Sequence, residues 1–236
     1  MKRWLALLAA RLVAPRIIYG YRRADGTWLA HTRISSHACI EHPEGLDIGD
    51  HVFVGHFNML DASSGLAIGE GCQISNHVSI LSHSSHQAVR LMGRGYFGHL
   101  DPTGYVRGAT RIGAYCFIGP HSVIAPGAQL GRGVLVQAYS YVRGEVPDFA
   151  IVAGQPARVV GDTRDADRPW LERDAKVRAL YEAWAGSGWA RRPAPGARAA
   201  QAGAADAAGE ALPGPPDLHS SPDSSVPSSR SPQTGR

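Results

Sequence analysis

A six-residue period restricts what this chain can fold into more than any other feature. Aliphatic residues fall at Ile112, Ile118, Ile124, Leu130, Val136 and Val142. The next position is usually small (Gly113, Gly119, Ala125, Gly131), and the residue four after each aliphatic is small or slim: Cys116, Ser122, Ala128, Val134 and Ser140. An earlier series runs Ile48, Val54, Leu60, then shifts phase to Ile68, Ile74 and Ile80, with Ile34 and Ile40 at its start. Such a period fits neither an α-helix nor a stack of hairpins. It suits a coil of three short strands, each turning one aliphatic side chain inward onto the coils above and below. The small residue that follows is the expected turn position, where glycine tolerates φ values closed to other residues. A chance run of Ile-Gly pairs in an α/β protein would need helical periodicity between the strands, and none is visible.

Outside the repeats the composition changes. From residue 186 the chain is Ala, Gly, Pro and Ser with few large apolar residues, which reads as a disordered tail over 187–236. Residues 1–30 hold six Lys or Arg against Asp25 alone, and the stretch from 187 holds five Arg against four acids. Of the net +4, the remaining body therefore carries about −2, which argues against a nucleic-acid platform. Near the start, Trp4, Leu5, Leu8 and Leu12 would line one face of a helix within a segment spanning 1–30. Its apolar run is too short to cross a bilayer, which leaves a cap on the domain or weak association of residues 1–18 with a membrane surface. Cys39, Cys72 and Cys116 are odd in number and lack CxxC spacing, as in a reducing compartment. Trp170, Val177, Leu180, Tyr181 and Trp184 have helical spacing after Pro169, predicting a helix over 163–186 that packs on the coil.

The hexads, followed by IVAGQPARVVG at 151–161, resemble the bacterial hexapeptide-repeat acyltransferases over residues 31–162. The stretch VFVGHFNMLDASSGLAIGEGCQISNHVSILSHSSH at 52–86 is similar to the galactoside and maltose O-acetyltransferases. It is closer still to those that decorate lipopolysaccharide, capsule and exopolysaccharide sugars. The resemblance implies an all-β fold: a left-handed parallel β-helix with a long inserted loop and flanking helices. That handedness is the family's exception to the usual right-handed crossover. It also implies acetyl-CoA as acyl donor, a sugar or glycan hydroxyl as acceptor, and a homotrimer with active sites between subunits. The place expected is the cytoplasm, with a position peripheral to the inner membrane as the alternative.

Between Ile80 and Ile112 the repeat stops, and the loop 82–110 carries His83 and His86 near its start. Long irregular insertions in regular scaffolds are more often functional than not. A hydroxyl must lose its proton as it attacks a thioester, and an imidazole, with an ordinary pKa near ~6.5, can accept it at neutral pH. In the galactoside enzymes the base follows a ladder aliphatic by five residues. Counted from Ile80 that is Ser85, so a one-residue insertion favours His86, with His83 as the alternative. The same resemblance turns Asn58 toward the acceptor, while Asp61 is either a carboxylate that orients the base through its second ring nitrogen or a solvated turn residue before Ala-Ser-Ser-Gly. GPHSVIAPG at 119–127 and VQAYSYVRGEVPDFAIVAGQPARV at 136–159 match the coils along which the pantetheine arm lies. Pro120, Ala138, Ala153 and Gly154 would let it approach the backbone, and Arg143 and Arg158 would meet the phosphates.

Two other readings share the architecture. An antibiotic acetyltransferase would differ only in its acceptor pocket. A γ-carbonic-anhydrase-like metalloenzyme is suggested by His51, His77 and His121, each three residues after a ladder aliphatic. Their separations of 26 and 44 residues are not whole turns of about eighteen, so no metal is expected.

Overall fold

A computed structural model of the chain describes residues 4, 10, 11 and 13–191. Within them the chain winds as a parallel β-helix whose coils each contribute one short strand to three sheets. The first sheet runs through residues 28–35, 53–54, 73–74, 117–118, 135–136 and 150–154. The second holds 39–41, 59–61, 79–80, 123–124 and 141–142; the third holds 46–48, 66–68, 110–112, 129–130 and 145–146. Pairing between coils is parallel and in register, as in Leu60↔Ile80 and Ile68↔Ile112. The aliphatics of the hexad series are thereby stacked into inward ladders. Val54, Leu60, Ile74, Ile80, Ile118, Ile124 and Val136 are all fully buried. A strand of two residues is far too short to hold itself, so the stacking of apolar side chains between coils supplies the driving force.

The corners assign glycine a different role from the expected one. At most corners the residue three after the ladder aliphatic is in the left-handed region, and many of these are not glycine: His51, Phe57, His77, Tyr115, His121, Tyr139 and Phe149 have φ of 57–63°. Such residues cost roughly 1–2 kcal/mol in that conformation. Ring stacking from coil to coil offsets part of it. Phe57 lies on His77, His77 on His121 and His121 on Tyr139, with centroids 4.8–5.1 Å apart. The glycines directly after the ladder residues are needed for close approach instead. A Cβ on Gly113 would stand 2.5 Å from the carbonyl carbon of Gly131 on the next coil, and one on Gly69 2.5 Å from the Ala114 nitrogen. Gly113→Ala is therefore expected to cost roughly 1–3 kcal/mol by overpacking. Gly95→Ala, in open space on the loop, should change stability by less than ~0.5 kcal/mol. Urea unfolding followed by circular dichroism measures both, and equal midpoints for the two variants would refute the close-approach account.

Both ends differ from expectation. Trp4, Ala10, Arg11 and Val13 are helical, but the segment 1–30 is not helical throughout. Residues 17–22 pair antiparallel with 28–35, Ile17 opposite Ser35 and Arg22 opposite Trp28, and add an edge strand to the first sheet. The cause is the tight turn at Asp25-Gly26, where Gly26 has φ 89° and Arg23 N–H and the Thr27 carbonyl bond across it. Leu5, Leu8 and Leu12 lie outside the described residues.

At the carboxyl end residues 150–154 and 157–162 form a hairpin, then two helices follow: α1 (Thr163–Arg173) and α2 (Ala175–Ala185). Asp162 and Asp174 cap them, each carboxylate accepting backbone N–H groups two residues on. The expected single packed face over 163–186 is divided. Trp170, Val177 and Leu180 are exposed, whereas Leu171 is buried and Trp184 stacks on Tyr115 at 4.5 Å. The tail also begins later than expected. Residues 187–191 make a 3-10 turn, and Trp189 is buried with its indole N–H on Glu182 at 2.9 Å. Residues 192–236 of the expected tail lie outside the described residues.

Candidate active site

All departures from the six-residue period fall on one corner, between the second and third sheets. Ile40 to Ile48 and Leu60 to Ile68 are steps of eight, Ile80 to Ile112 holds the loop, and Val142 to Val146 is a step of four. The extra residues at 61–65 and the root of the loop at 82–84 therefore stack on each other. The loop itself is an ordered excursion. His83 and Ser84 pair antiparallel with Arg107 and Val106, a short helix covers Ala88–Met92, and Gly108 N–H returns to the Ser82 carbonyl at 2.9 Å. Thr110 then closes the coil by donating its hydroxyl to the Leu81 carbonyl at 2.7 Å.

Asp61 is the centre of this corner, with no solvent exposure. Its Oδ1 accepts the Ser63 N–H (2.9 Å), and its Oδ2 accepts the Ser82 N–H (2.9 Å), the Ser82 hydroxyl (3.0 Å) and the His83 N–H (3.2 Å). Burial opposes ionisation of this carboxyl, but the hydrogen bonds from Ser63 and Ser82 outweigh it and hold the group well below the usual carboxylate range. The His83 Nδ1 lies 2.7 Å from Asp61 Oδ2 and 2.9 Å from Ser63 Oγ, and its ring stacks on Tyr105 at 5.4 Å. An ionised carboxylate has no proton to give, so Nδ1 carries the hydrogen and Nε2, on the far side of the ring, keeps its lone pair. The arrangement is a histidine held in plane with its Nε2 directed away from Asp61, and its side chain is about one-third exposed.

Other sequence candidates fare differently. His86, the favoured position by counting, has only the Ser84 hydroxyl on its Nδ1 (2.8 Å), and its carbonyl accepts from Arg90. It faces no carboxylate among the described residues, because the loop has already left the coil there. Asn58 does not face an acceptor. It is buried, its Nδ2 donates to the Ser75 and Gly55 carbonyls and its Oδ1 accepts the Val78 N–H, so it serves as an internal link between coils. Ser63, Ser82 and Tyr105 join the corner without a motif that marks them in the sequence. Ser63 had a signal, since it precedes His83 by the same 20 residues that separate Leu60 from its neighbour Ile80.

Pro120 and Ala138 occupy neighbouring coils, with the Tyr139 N–H on the Pro120 carbonyl, while Ala153 and Gly154 lie on the terminal hairpin opposite Arg158 and Ala157. A groove of about 520 Å³ runs beside them, lined by His121, Val123, Ser140, Tyr141, Arg143, Gln155 and Pro156. Arg143 is the one sequence-selected cation in it; Arg158 is exposed and donates to the Ala157 carbonyl. His77 and His121 stand on neighbouring coils despite their separation of 44 residues, which is one coil plus the loop, and their rings stack at 4.8 Å. His51 belongs to a different corner, so the three do not converge.

Residues 109–144 match the bacterial transferase hexapeptide model of six repeats. The chain is 36% identical over 129 residues to the serine acetyltransferase of Escherichia coli strain K12, an alignment that covers 55% of this chain and 42% of that protein. It is 27% identical over 152 residues to the galactoside O-acetyltransferase of the same strain, covering 61% and 70%. A maltose O-acetyltransferase structure from Clostridium difficile 630 aligns at 19% identity over 54% of this chain and 64% of its own, with TM-score 0.45. The chain thus spans about two fifths of the length of the serine acetyltransferases that it matches. Over residues 109–144 the coil carries hexapeptide repeats of the bacterial transferase type, and over the aligned regions the chain is similar to acetyltransferases.

Proposed function

We propose that this protein is an acetyl-CoA-dependent O-acetyltransferase that acts on a sugar hydroxyl, in the O-acetylation of surface polysaccharide or lipopolysaccharide, with His83 as general base. The observation that carries the proposal is the 2.7 Å contact between His83 Nδ1 and the buried, ionised Asp61. Similarity to acetyltransferases supplies the reaction class, and the 27% identity to a galactoside O-acetyltransferase supports a sugar acceptor. In this reading Nε2 takes the proton from the acceptor hydroxyl as its oxygen attacks the thioester carbonyl. The C–S bond breaks, and the imidazolium returns the proton to the departing thiolate. Asp61 stabilises that imidazolium without taking its proton. Ser63 and Tyr105 hold the ring plane, so the base needs no reorganisation. Arg143, in the groove along the second sheet, would meet the phosphates of the donor. A cytoplasmic homotrimer is part of the same proposal.

Release of CoA thiol from acetyl-CoA tests it, with free sugars, lipid-linked glycans, L-serine and chloramphenicol as acceptors. Sugar-dependent release is the expected result. Release with serine alone would move the acceptor to an amino-acid hydroxyl, and with chloramphenicol alone to a xenobiotic. No release with any acceptor, together with no heat of acetyl-CoA binding, would overturn acyl transfer itself.

A further inference from the structure

We propose that His31, Asp50 and His51 form a binding site for a borderline divalent ion, zinc or a neighbouring transition metal, that clasps the amino-terminal hairpin to the first corner of the coil. One ligand atom from each of the three lies within 4.8 Å of the others. The grouping follows from register. Arg33 pairs with Phe53 across the first sheet, so His31 stands beside His51, and their rings stack at 4.5 Å and 15°. Both residues are exposed, and they border a cavity of about 270 Å³ lined also by Tyr19, Ala30 and Arg33. His51 is directed there by its left-handed backbone, φ 60°.

Asp50 is fixed between them. Its Oδ1 accepts the His31 N–H (3.0 Å), the His51 N–H (2.8 Å) and the Thr32 hydroxyl (3.1 Å). Every one of these bonds falls on Oδ1, which leaves Oδ2 for an ion. Two imidazoles and a carboxylate, with a fourth position open to water, match the preferences of zinc, whose ligand atoms stand roughly 3.3 Å apart around bonds of about 2 Å. Closing from within 4.8 Å to that spacing calls for rotation of the two exposed rings about the fixed carboxylate. Arg33 does not oppose the ion directly, since its guanidinium lies over the Phe53 ring at 5.3 Å. The stacked pair His77 and His121, at 4.8 Å, belongs to no such cluster with a carboxylate among the described residues and serves as an internal comparison.

The test uses the untagged full chain, with Zn²⁺ and Co²⁺ as probes in calorimetry and Co²⁺ absorption. One ion per chain is expected, with a rise in melting temperature on adding Zn²⁺. His31→Gln and His51→Asn, the latter chosen because Asn tolerates the left-handed region, should each weaken binding about tenfold or more and remove the thermal shift. His77→Asn should leave both unchanged. Circular dichroism verifies that each variant is folded. No binding by the wild type, or binding undiminished in both folded site variants, would overturn the proposal; loss in His77→Asn alone would place the ion on the other stack and overturn it equally.

Discussion

His83→Ala is expected to lower kcat for acyl transfer by about 10²–10⁴-fold, the range that a positioned general base contributes, whereas His86→Ala stays within about threefold of wild type. The contrast follows from the partners of the two rings. His83 rests on a buried carboxylate and a stacked tyrosine, while His86 has one serine hydroxyl. The variant should fold, because the main-chain bonds of this corner survive: Asp61 keeps the N–H groups of Ser63, Ser82 and residue 83. Single-turnover rates separate chemistry from product release, and calorimetry with acetyl-CoA verifies that donor binding is kept. A His86→Ala loss equal to that of His83→Ala would mean that both rings touch the reacting atoms. A His86→Ala loss alone would return the base to the position that counting from Ile80 favours.

That counting and the geometry point to different histidines for a physical reason that bears on how much of the site is legible in the sequence. Inward ladders were readable because burial forces an aliphatic at every strand, and the residues from Ile34 to Val142 named from the period all take ladder positions. A step count within one strand, however, says little at a corner where residues are inserted. Register between coils is the better ruler. The steps of eight at Ile40–Ile48 and Leu60–Ile68 lengthen two coils to 20 residues, and an offset of 20 leads from Ser63 to His83, not to His86. The same offset links His31 to His51. Asn58 is ambiguous in sequence because an amide at a corner looks the same whether it faces a ligand or replaces a missing bond between coils; its three partners decide for the latter. The hairpin at 17–35 was masked by the apolar, Arg-rich run before it, although Asp25-Gly26 between two strand-like segments marked the turn. Trp189 was lost in a stretch judged by composition, where one buried indole suffices to order the last turn.

Asp61→Asn is the sharper test of the whole corner, because it changes charge while preserving shape. The amide keeps one acceptor, and its NH₂ faces either Nδ1 of His83 together with the donors from Ser82, in the place of Oδ2, or the Ser63 N–H, in the place of Oδ1; all of these require an acceptor in the present geometry. An amide N–H toward Nδ1 selects the other tautomer, with hydrogen on Nε2 and no lone pair for the acceptor hydroxyl; kcat should fall by about 10²–10⁴-fold, with little change in KM for acetyl-CoA. Stability should also fall at neutral pH, by roughly 1–3 kcal/mol for each buried donor left without a partner. The two effects separate with pH. Because the folded-state carboxyl is held well below its unfolded value, its stabilisation is full above the unfolded value of about 3.9 and is lost as pH drops toward the folded one. The wild type should therefore lose its advantage over Asp61→Asn as melting temperatures are followed from pH 6 down to pH 3. A gap that stays constant over that range would mean that the carboxylate charge contributes nothing to holding this corner. An unaltered kcat in the folded variant would mean that His83 needs no ionised partner to act.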